Sequence, residues 1–471
     1  MHKKISYSRH LLTLLGVAVV TTSGSYFYFN HQYQINKTEN ISSSELTKVD
    51  DLYQNILQNY VGEVDKDTLV DGALKGMTEA IGDPYSTYLP ENEAQDLTDS
   101  LSSSIEGIGA TLTIIDNQPQ IAEAPVKGTP AQKAGLQAGD LILKVDGEDV
   151  TQQTLSEIVA KVRGKKGTDV KLSLSRAGEV FDVTITRDTV ALNSVTGNMA
   201  TDKIGLITIS SFSENTAAEF AQQITDLRKT GAQSFILDVR QNPGGLLTQV
   251  EIMGSMLLDD GKTIVSFEDK AGNQTHDVAS KDIDQGFKVT EPVTILVDGN
   301  SASASEILAG AIKDNQRGKV IGVTTFGKGT VQNVNDLGDK SELKLTIGKW
   351  LTPNGTWVNE KGLAPDIEVT YPDFAYLTPI SENVTLQLGA ADSNVLTLKT
   401  MLNGIGYELT VDTNYDEATE KAVADFQSKN DLAATGVFAS DTNTKLQQAL
   451  ISQLQNNDAF VAKAISVLQG E

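Results

Sequence analysis

No cysteine occurs anywhere in the 471 residues, and that absence limits the chain more than any other feature of its composition. With no disulfide or thiolate metal site to staple a small fold, each domain must be held by its own apolar core. Hydrophobic residues make up 39% and charged residues 21%, an ordinary globular balance. The length suits about three or four domains. A cysteine nucleophile is excluded outright. Histidine is nearly as scarce, because His2, His10 and His31 all stand in or beside the N-terminal segment. Only His276 serves the rest, in the polar stretch AGNQTHDVAS, which reads as an exposed hairpin or loop. A His-dependent triad or a His-rich metal site has almost no raw material, so any nucleophilic chemistry must find another base.

The formal net charge is -24, which repels nucleic acid phosphates and argues against a DNA or RNA partner. It also keeps the body of the protein off an anionic lipid surface unless something tethers it. Lys3, Lys4 and Arg9 precede the apolar run Leu11–Phe29. Basic flank first and apolar run second is the order of a signal sequence or signal anchor. The run is about 19 residues, enough for one bilayer crossing. It ends in Tyr26, Phe27, Tyr28 and Phe29, with no clear A-x-A cleavage site before them. The expectation is an uncleaved single-pass anchor over residues 1–31, a cytoplasmic basic end and an exported remainder. A cleaved signal peptide is the alternative.

Residues 32–45 read as a polar linker, and 46–104 as a helical N-terminal segment with apolar repeats such as Val49, Leu52, Ile56 and Tyr60, then Leu69, Ala73, Met77 and Ile81. GDPYSTYLP (82–90) breaks it, either as a substrate-side or dimer element or as a rigid turn. Over 105–187 short alternating strands take over, with helices expected at Thr129–Ala134 and Leu155–Val162. TPAQKAGLQAGDLILKVDGEDV there resembles the core of a PDZ domain, and Gly107, Ile108, Gly109 and Ala110 resemble that family's carboxylate-binding loop. Glycine-exposed N–H groups can hold a C-terminal carboxylate while the peptide adds a strand to the sheet edge. Over 188–375 strands and helices alternate as in a mixed α/β sheet, with helices at Thr216–Lys229, Leu246–Leu258 and Ala304–Asp314. Residues 386–450 suggest three packed helices, with Leu396, Met401, Leu402, Ala422, Val423, Phe426, Leu446 and Leu450 as apolar positions. The order Tyr415, Thr419, Phe426–Gln427, Gly436, Leu446 resembles the peptidoglycan-binding domain-1 family. Residues 451–471 read as a tail, amphipathic helix at best.

In LVDGNSASASEILAGAIKDN (296–315) a strand ends at Val297, a glycine turn follows and a helix begins among small residues. A nucleophile there sits where free N–H groups and the positive helix dipole favour an oxyanion. Ser303 with Glu306 is also an S-x-x-E capping box, which needs no catalysis. TFGKGTVQ (325–332) places Lys328 in a glycine-flanked loop between two predicted strands. A lysine in such a loop is usually solvated. Burial can lower its pKa by several units from about 10.4 and make it a base.

LDVRQNPGGLL, NSASASEILAGAIKDN and TFGKGTVQ, behind a PDZ-like block, resemble the S41 family of C-terminal processing peptidases over roughly residues 45–375, including TPNG (352–355) and GLAPDIEV (362–369). The resemblance implies that the third small residue of SASASE, Ser303 rather than Ser301 or Ser305, is the nucleophile. It implies that Lys328, 25 positions on, is the general base. Gln332 would orient the lysine, projecting to the same side from four residues along a strand. Ala304 and Gly244 would supply the oxyanion N–H groups, and Asp314 would be structural. Arg163 would be a PDZ-to-core contact, or one of three solvated cations with Lys165 and Lys166. Tyr85 stands where relatives often carry histidine. No metal or organic cofactor is implied.

The expected fold class is therefore multidomain α+β, with a membrane anchor, a helical N-terminal segment, a β-rich PDZ domain, a mixed α/β S41 protease core and a three-helix peptidoglycan-binding-like domain. The expected activity is cleavage of exported polypeptides with accessible apolar C-termini, at a bacterial, Gram-positive envelope. Peptidoglycan and a second copy of the chain are further expected partners. A non-catalytic PDZ scaffold at the wall is the competing reading. A Ser-x-x-Lys acyltransferase on SELK (341–344) is disfavoured, because that stretch alternates as a strand and no SDN or KTG partner is present.

Overall fold

The computed structural model describes residues 43–470 apart from Asp116. The expected anchor and most of the linker lie outside the described residues. Among those that are described, no helix is long and apolar enough to cross a membrane. The chain divides into a unit up to Ala80 and a unit from Ile81 onward. The first carries the helices Ser43–Asn59 and Lys66–Glu79, and Leu52 and Met77 on them are exposed. The division falls inside the expected 46–104 segment. Ile81 onward joins the larger unit because Thr87–Leu89 pairs antiparallel with Glu342–Leu351.

The central sheet of the larger unit has the strand order Val195–Met199, Ile204–Ile209, Ser234–Asp238, Val293–Val297, Gly318–Gly322 and Ile367–Glu368. The first pair is antiparallel and the others parallel. Ser234–Asp238 and Val293–Val297 are buried at every residue, as strands covered on both faces must be. Successive side chains on a strand point to opposite faces. One set, including Phe235, Leu237, Ile295 and Val297, packs with the helices Thr216–Thr230, Leu247–Leu257 and Ala304–Asp314. The other set, Ile204, Ile236, Leu296 and Ile321, packs with Phe460 and Ala464 of the helix Ala459–Gln469. The expected tail is thus a structural layer of the core.

A second, antiparallel sheet joins Thr87–Leu89, Glu342–Leu351, Thr263–Asp269 and Gln274–Val278, with Thr330–Asp336 also on Glu342–Leu351. It contains Glu342, Leu343 and Lys344 of SELK in a strand, with Ser341 just before it. His276 is on its outer strand, exposed, with Nδ1 2.7 Å from Ser266 Oγ. The PDZ-like region forms its own antiparallel sheet from Leu112–Ile115 to Glu179–Thr186 around Ile142, Val170 and Leu172. Its long helix is Leu155–Val162, closed at its start by a Thr154–Glu157 capping box.

The helices Ser393–Gly404, Glu417–Lys429 and Ser440–Asn456 pack round Leu398, Val423, Phe426 and Leu446. Leu396 is exposed and its neighbour Val395 is buried in its place. The chain leaves the core sheet near Tyr371, builds this module, and returns to the sheet at Ala459. The module is inserted in the core rather than appended to it.

Candidate active site

Three serines alternate after the strand Val293–Val297, and their surroundings separate them. Ser301 Oγ donates to Val239 O at 2.8 Å and accepts from Asp298 N at 2.9 Å. Ser305 Oγ donates to Asn242 O at 2.9 Å. Both are fully buried and tie the turn to the preceding loop. Ser303 between them is partly exposed, with φ 54° and ψ −112°. A non-glycine residue there is strained by about 1–3 kcal/mol, and surrounding structure must hold it.

Glu306 supplies much of that hold. It is wholly buried on the first turn of Ala304–Asp314. One carboxylate oxygen accepts from Ser303 N at 2.8 Å and Lys328 N at 2.9 Å. The other accepts from Thr325 Oγ1 at 2.6 Å and Gly327 N at 2.8 Å. One side chain therefore fastens the serine turn and the lysine loop together. Only the capping half of this, Glu306 reaching back to Ser303, is legible in the sequence. The S-x-x-E pattern was the available signal, but it says nothing of donors 19 to 22 residues away.

The lysine loop is pinned from its outer side as well. Trp350 Nε1 donates to Lys328 O at 2.7 Å, and Trp357 Nε1 to Gly329 O at 2.8 Å. At Gly327, φ is 92° and an added Cβ would lie 2.8 Å from Gly362 N, so only glycine fits. Lys328 Nζ lies 5.0 Å from the centre of the Tyr85 ring, a cation–π arrangement. Burial pushes the Lys328 ammonium below the usual lysine range, and Lys344 nearby adds to this. The charges of Glu306 and Asp83 oppose it. Burial raises the Tyr85 phenol, with Glu306, Asp83 and Glu360 acting in the same direction. No hydrogen bond joins Ser303 Oγ to Lys328 Nζ among the described residues; the two loops meet through Glu306.

Gln332 is placed differently from expectation. Lys328 precedes the strand, which begins at Thr330, and the ladder register shifts between Val331 and Gln332. A bulge breaks the two-residue alternation on which the same-side expectation rested. The Gln332 amide donates instead to Thr330 Oγ1 at 2.9 Å and Thr346 Oγ1 at 3.1 Å.

The oxyanion expectations divide in the same way. Ala304 opens the helix, where its N–H has no intrahelical acceptor. Gly244 packs so closely that an added Cβ would lie 2.9 Å from Ser303 Cβ and 3.2 Å from Ala304 N. The Gly244 N–H, however, donates to Asn242 Oδ1 at 2.9 Å. That turn is local side-chain chemistry of Asn242, and it occupies the donor expected for substrate. Asp314 accepts from Asn354 N at 2.9 Å and holds the TPNG loop.

In the PDZ-like region Ile108 O accepts from Ala131 N at 2.7 Å. Gly109 has φ 74°, with Thr129 filling the space where a Cβ would stand. Gly107 closes the strand Ser104–Gly107, and Ala110 packs on the PDZ-like core. Arg163 reaches neither the serine turn nor the lysine loop. It pairs with Asp99 on the helix Glu91–Leu101 at 2.7 Å. The end of that helix is bonded to the core, with Leu101 O accepting from Glu214 N at 3.1 Å. Through Asp99, Arg163 is linked to the core by this helix.

The model for peptidase family S41 matches residues 203–369, and the PDZ domain model matches 121–176. The N-terminal domain model of the activating protease CtpB matches 18–93, and the peptidoglycan binding domain model matches 391–446. The chain is 41% identical over 436 residues to the carboxy-terminal processing protease CtpA of Bacillus subtilis (strain 168), covering 92% of each. It is 36% identical to a probable CtpA-like serine protease of Staphylococcus aureus (strain COL), covering 97% of this chain and 91% of that one.

Proposed function

Because the chain belongs to the S41 family of carboxy-terminal processing serine proteases, we propose that Ser303 is its nucleophile and Lys328 its general base. The carrying observation is the Glu306 carboxylate, which binds the backbone N–H of both residues. Ser303 Oγ attacks the scissile carbonyl, Lys328 takes its proton and passes it to the leaving amine, and water hydrolyses the acyl-enzyme. A neutral amine is needed, and the half-buried site lowers the cost of that state. The Ala304 N–H faces the developing oxyanion. The Gly244 N–H joins it once the substrate oxygen displaces Asn242 Oδ1. Gln332 steadies the site through Thr346, whose N–H donates to Ser86 Oγ at 3.0 Å beside Tyr85.

The wider assignment is a membrane-anchored, extracytoplasmic endopeptidase at a Gram-positive envelope. Its support is the basic-then-apolar order of residues 1–31. The loop Gly107–Ala110 takes the C-terminal carboxylate of an exported polypeptide, with Arg163 relaying docking through Asp99. A second copy of the chain would cover the exposed apolar residues of the N-terminal helices.

A biotinylated alkyl fluorophosphonate should modify one residue, Ser303, as read by mass spectrometry of the digested protein. Labelling of Ser301 or Ser305 instead would sink the serine assignment. The inserted module is proposed to bind peptidoglycan, so the full protein should sediment with purified cell wall. Full protein left in the supernatant would remove that assignment.

A further inference from the structure

Arg240 immediately precedes the loop Gln241–Gly245, and its side chain is 12% exposed. Its Nε and Nη2 donate to Asp238 at 2.9 and 2.7 Å, and its Nη1 and Nη2 donate to Asp458 at 3.1 and 2.7 Å. The guanidinium also lies 4.9 Å over the Phe460 ring. Phe460 in turn stands 4.6 Å from the Tyr371 ring, so the two points where the inserted module leaves and rejoins the core are clamped together. Asp458 caps its own helix as well, accepting from Phe460 N at 2.9 Å and Val461 N at 3.1 Å.

A planar guanidinium held by two carboxylates and an aromatic face has one orientation. The next residue, Gln241, has φ 59° and is pinned to Asp298 through its N–H at 3.0 Å. Three residues on, Gly244 abuts Ser303 and Ala304. The start of the loop is thus anchored to a helix more than 200 residues further along the chain, on the opposite face of the sheet from Ala304–Asp314.

We propose that Asp458 is a positioning residue of the protease, acting through Arg240 to hold Gln241–Gly245 in register with the oxyanion N–H of Ala304. This rests on the oxyanion site proposed above. It makes the last helix part of the catalytic apparatus and not only a cover for the sheet.

The test uses the full chain with a peptide substrate and a peptide boronic acid of matching sequence, whose tetrahedral adduct resembles the transition state. Asp458→Asn should lower kcat about tenfold, a fraction of the loss seen when an oxyanion donor is removed. It should weaken the boronic acid by the same factor and leave KM unchanged. Asp458→Glu, which keeps the charge, should recover most of both. Phe460→Leu keeps an apolar contact with the sheet but removes the ring over Arg240, and should give a smaller loss of the same kind. Wild-type kcat and boronic acid affinity in Asp458→Asn and Phe460→Leu, with only a lower melting temperature, would overturn the proposal. Ser303→Ala cleaving normally would instead sink the serine assignment, so the two failures are distinct.

Discussion

Lys328→Ala and Lys328→Arg should both lose cleavage by on the order of 10⁴- to 10⁶-fold in kcat, as does removal of a single nucleophile or base elsewhere. Alanine removes the proposed base. Arginine keeps the charge and the reach, yet stays protonated at any working pH and cannot accept the serine proton. In the parent protein the sign of the pH dependence follows from the same site. Below its pKa Lys328 is an ammonium and inactive as a base; above it the amine is available. Burial and Lys344 lower that pKa. The rate should therefore rise with pH and level off at a midpoint below the ordinary lysine value of about 10.4. The readout is kcat/KM against pH for an uncharged peptide. Cleavage by Lys328→Arg at the parent rate would remove the lysine from the mechanism, whereas binding of a C-terminal tail with no cleavage by the parent protein would favour the PDZ scaffold.

Glu306→Ala should destabilise the protein by several kcal/mol, because buried donors left without an acceptor cost about 1–3 kcal/mol each before the site relaxes. Four donors lose their acceptor together: Ser303 N, Thr325 Oγ1, Gly327 N and Lys328 N. Glu306→Gln is the sharper variant. Ser303 and Lys328 share one oxygen of the carboxylate, and Thr325 and Gly327 share the other. An amide oxygen can replace only one of them, so either orientation of the glutamine leaves two donors facing an NH₂ group. Cleavage should fall steeply, because the strained Ser303 backbone and the lysine loop lose their common tie. Thermal unfolding and peptide cleavage measured on the same preparations check this. A Glu306→Gln protein with parental melting temperature and rate would mean that the loops are positioned by other contacts.

Much of this protein was legible in residue order. The strand–turn–helix at 293–314, the α/β alternation and the PDZ-like block carry local signals: apolar runs, glycines at turns, and small residues where backbones approach. The helices Leu155–Val162 and Ala304–Asp314 occur over the residues expected, because capping residues and spacing mark both ends. The scarcity of histidine and cysteine narrowed the chemistry before any geometry was available.

What stayed hidden has one physical cause: partners distant in sequence meet only when the layers pack. Glu306 shows its capping role locally and its hold on Gly327 and Lys328 only across the fold. Asn242 and Gly244 are two residues apart, but nothing in NPGG says whether the N–H faces substrate or Asn242 Oδ1. Lys328 lies before the strand that carries Gln332, so strand alternation alone could not place the two side chains relative to each other. The segment Ala459–Gln469 reads as a marginal amphipathic helix until the second face of the sheet is seen to need Phe460 and Ala464. Composition thus removed cysteine and nearly all histidine from the chemistry, and the family resemblance supplied the proposed serine and lysine. Packing of distant segments chose which carboxylate ties them together and which helix stands behind the loop.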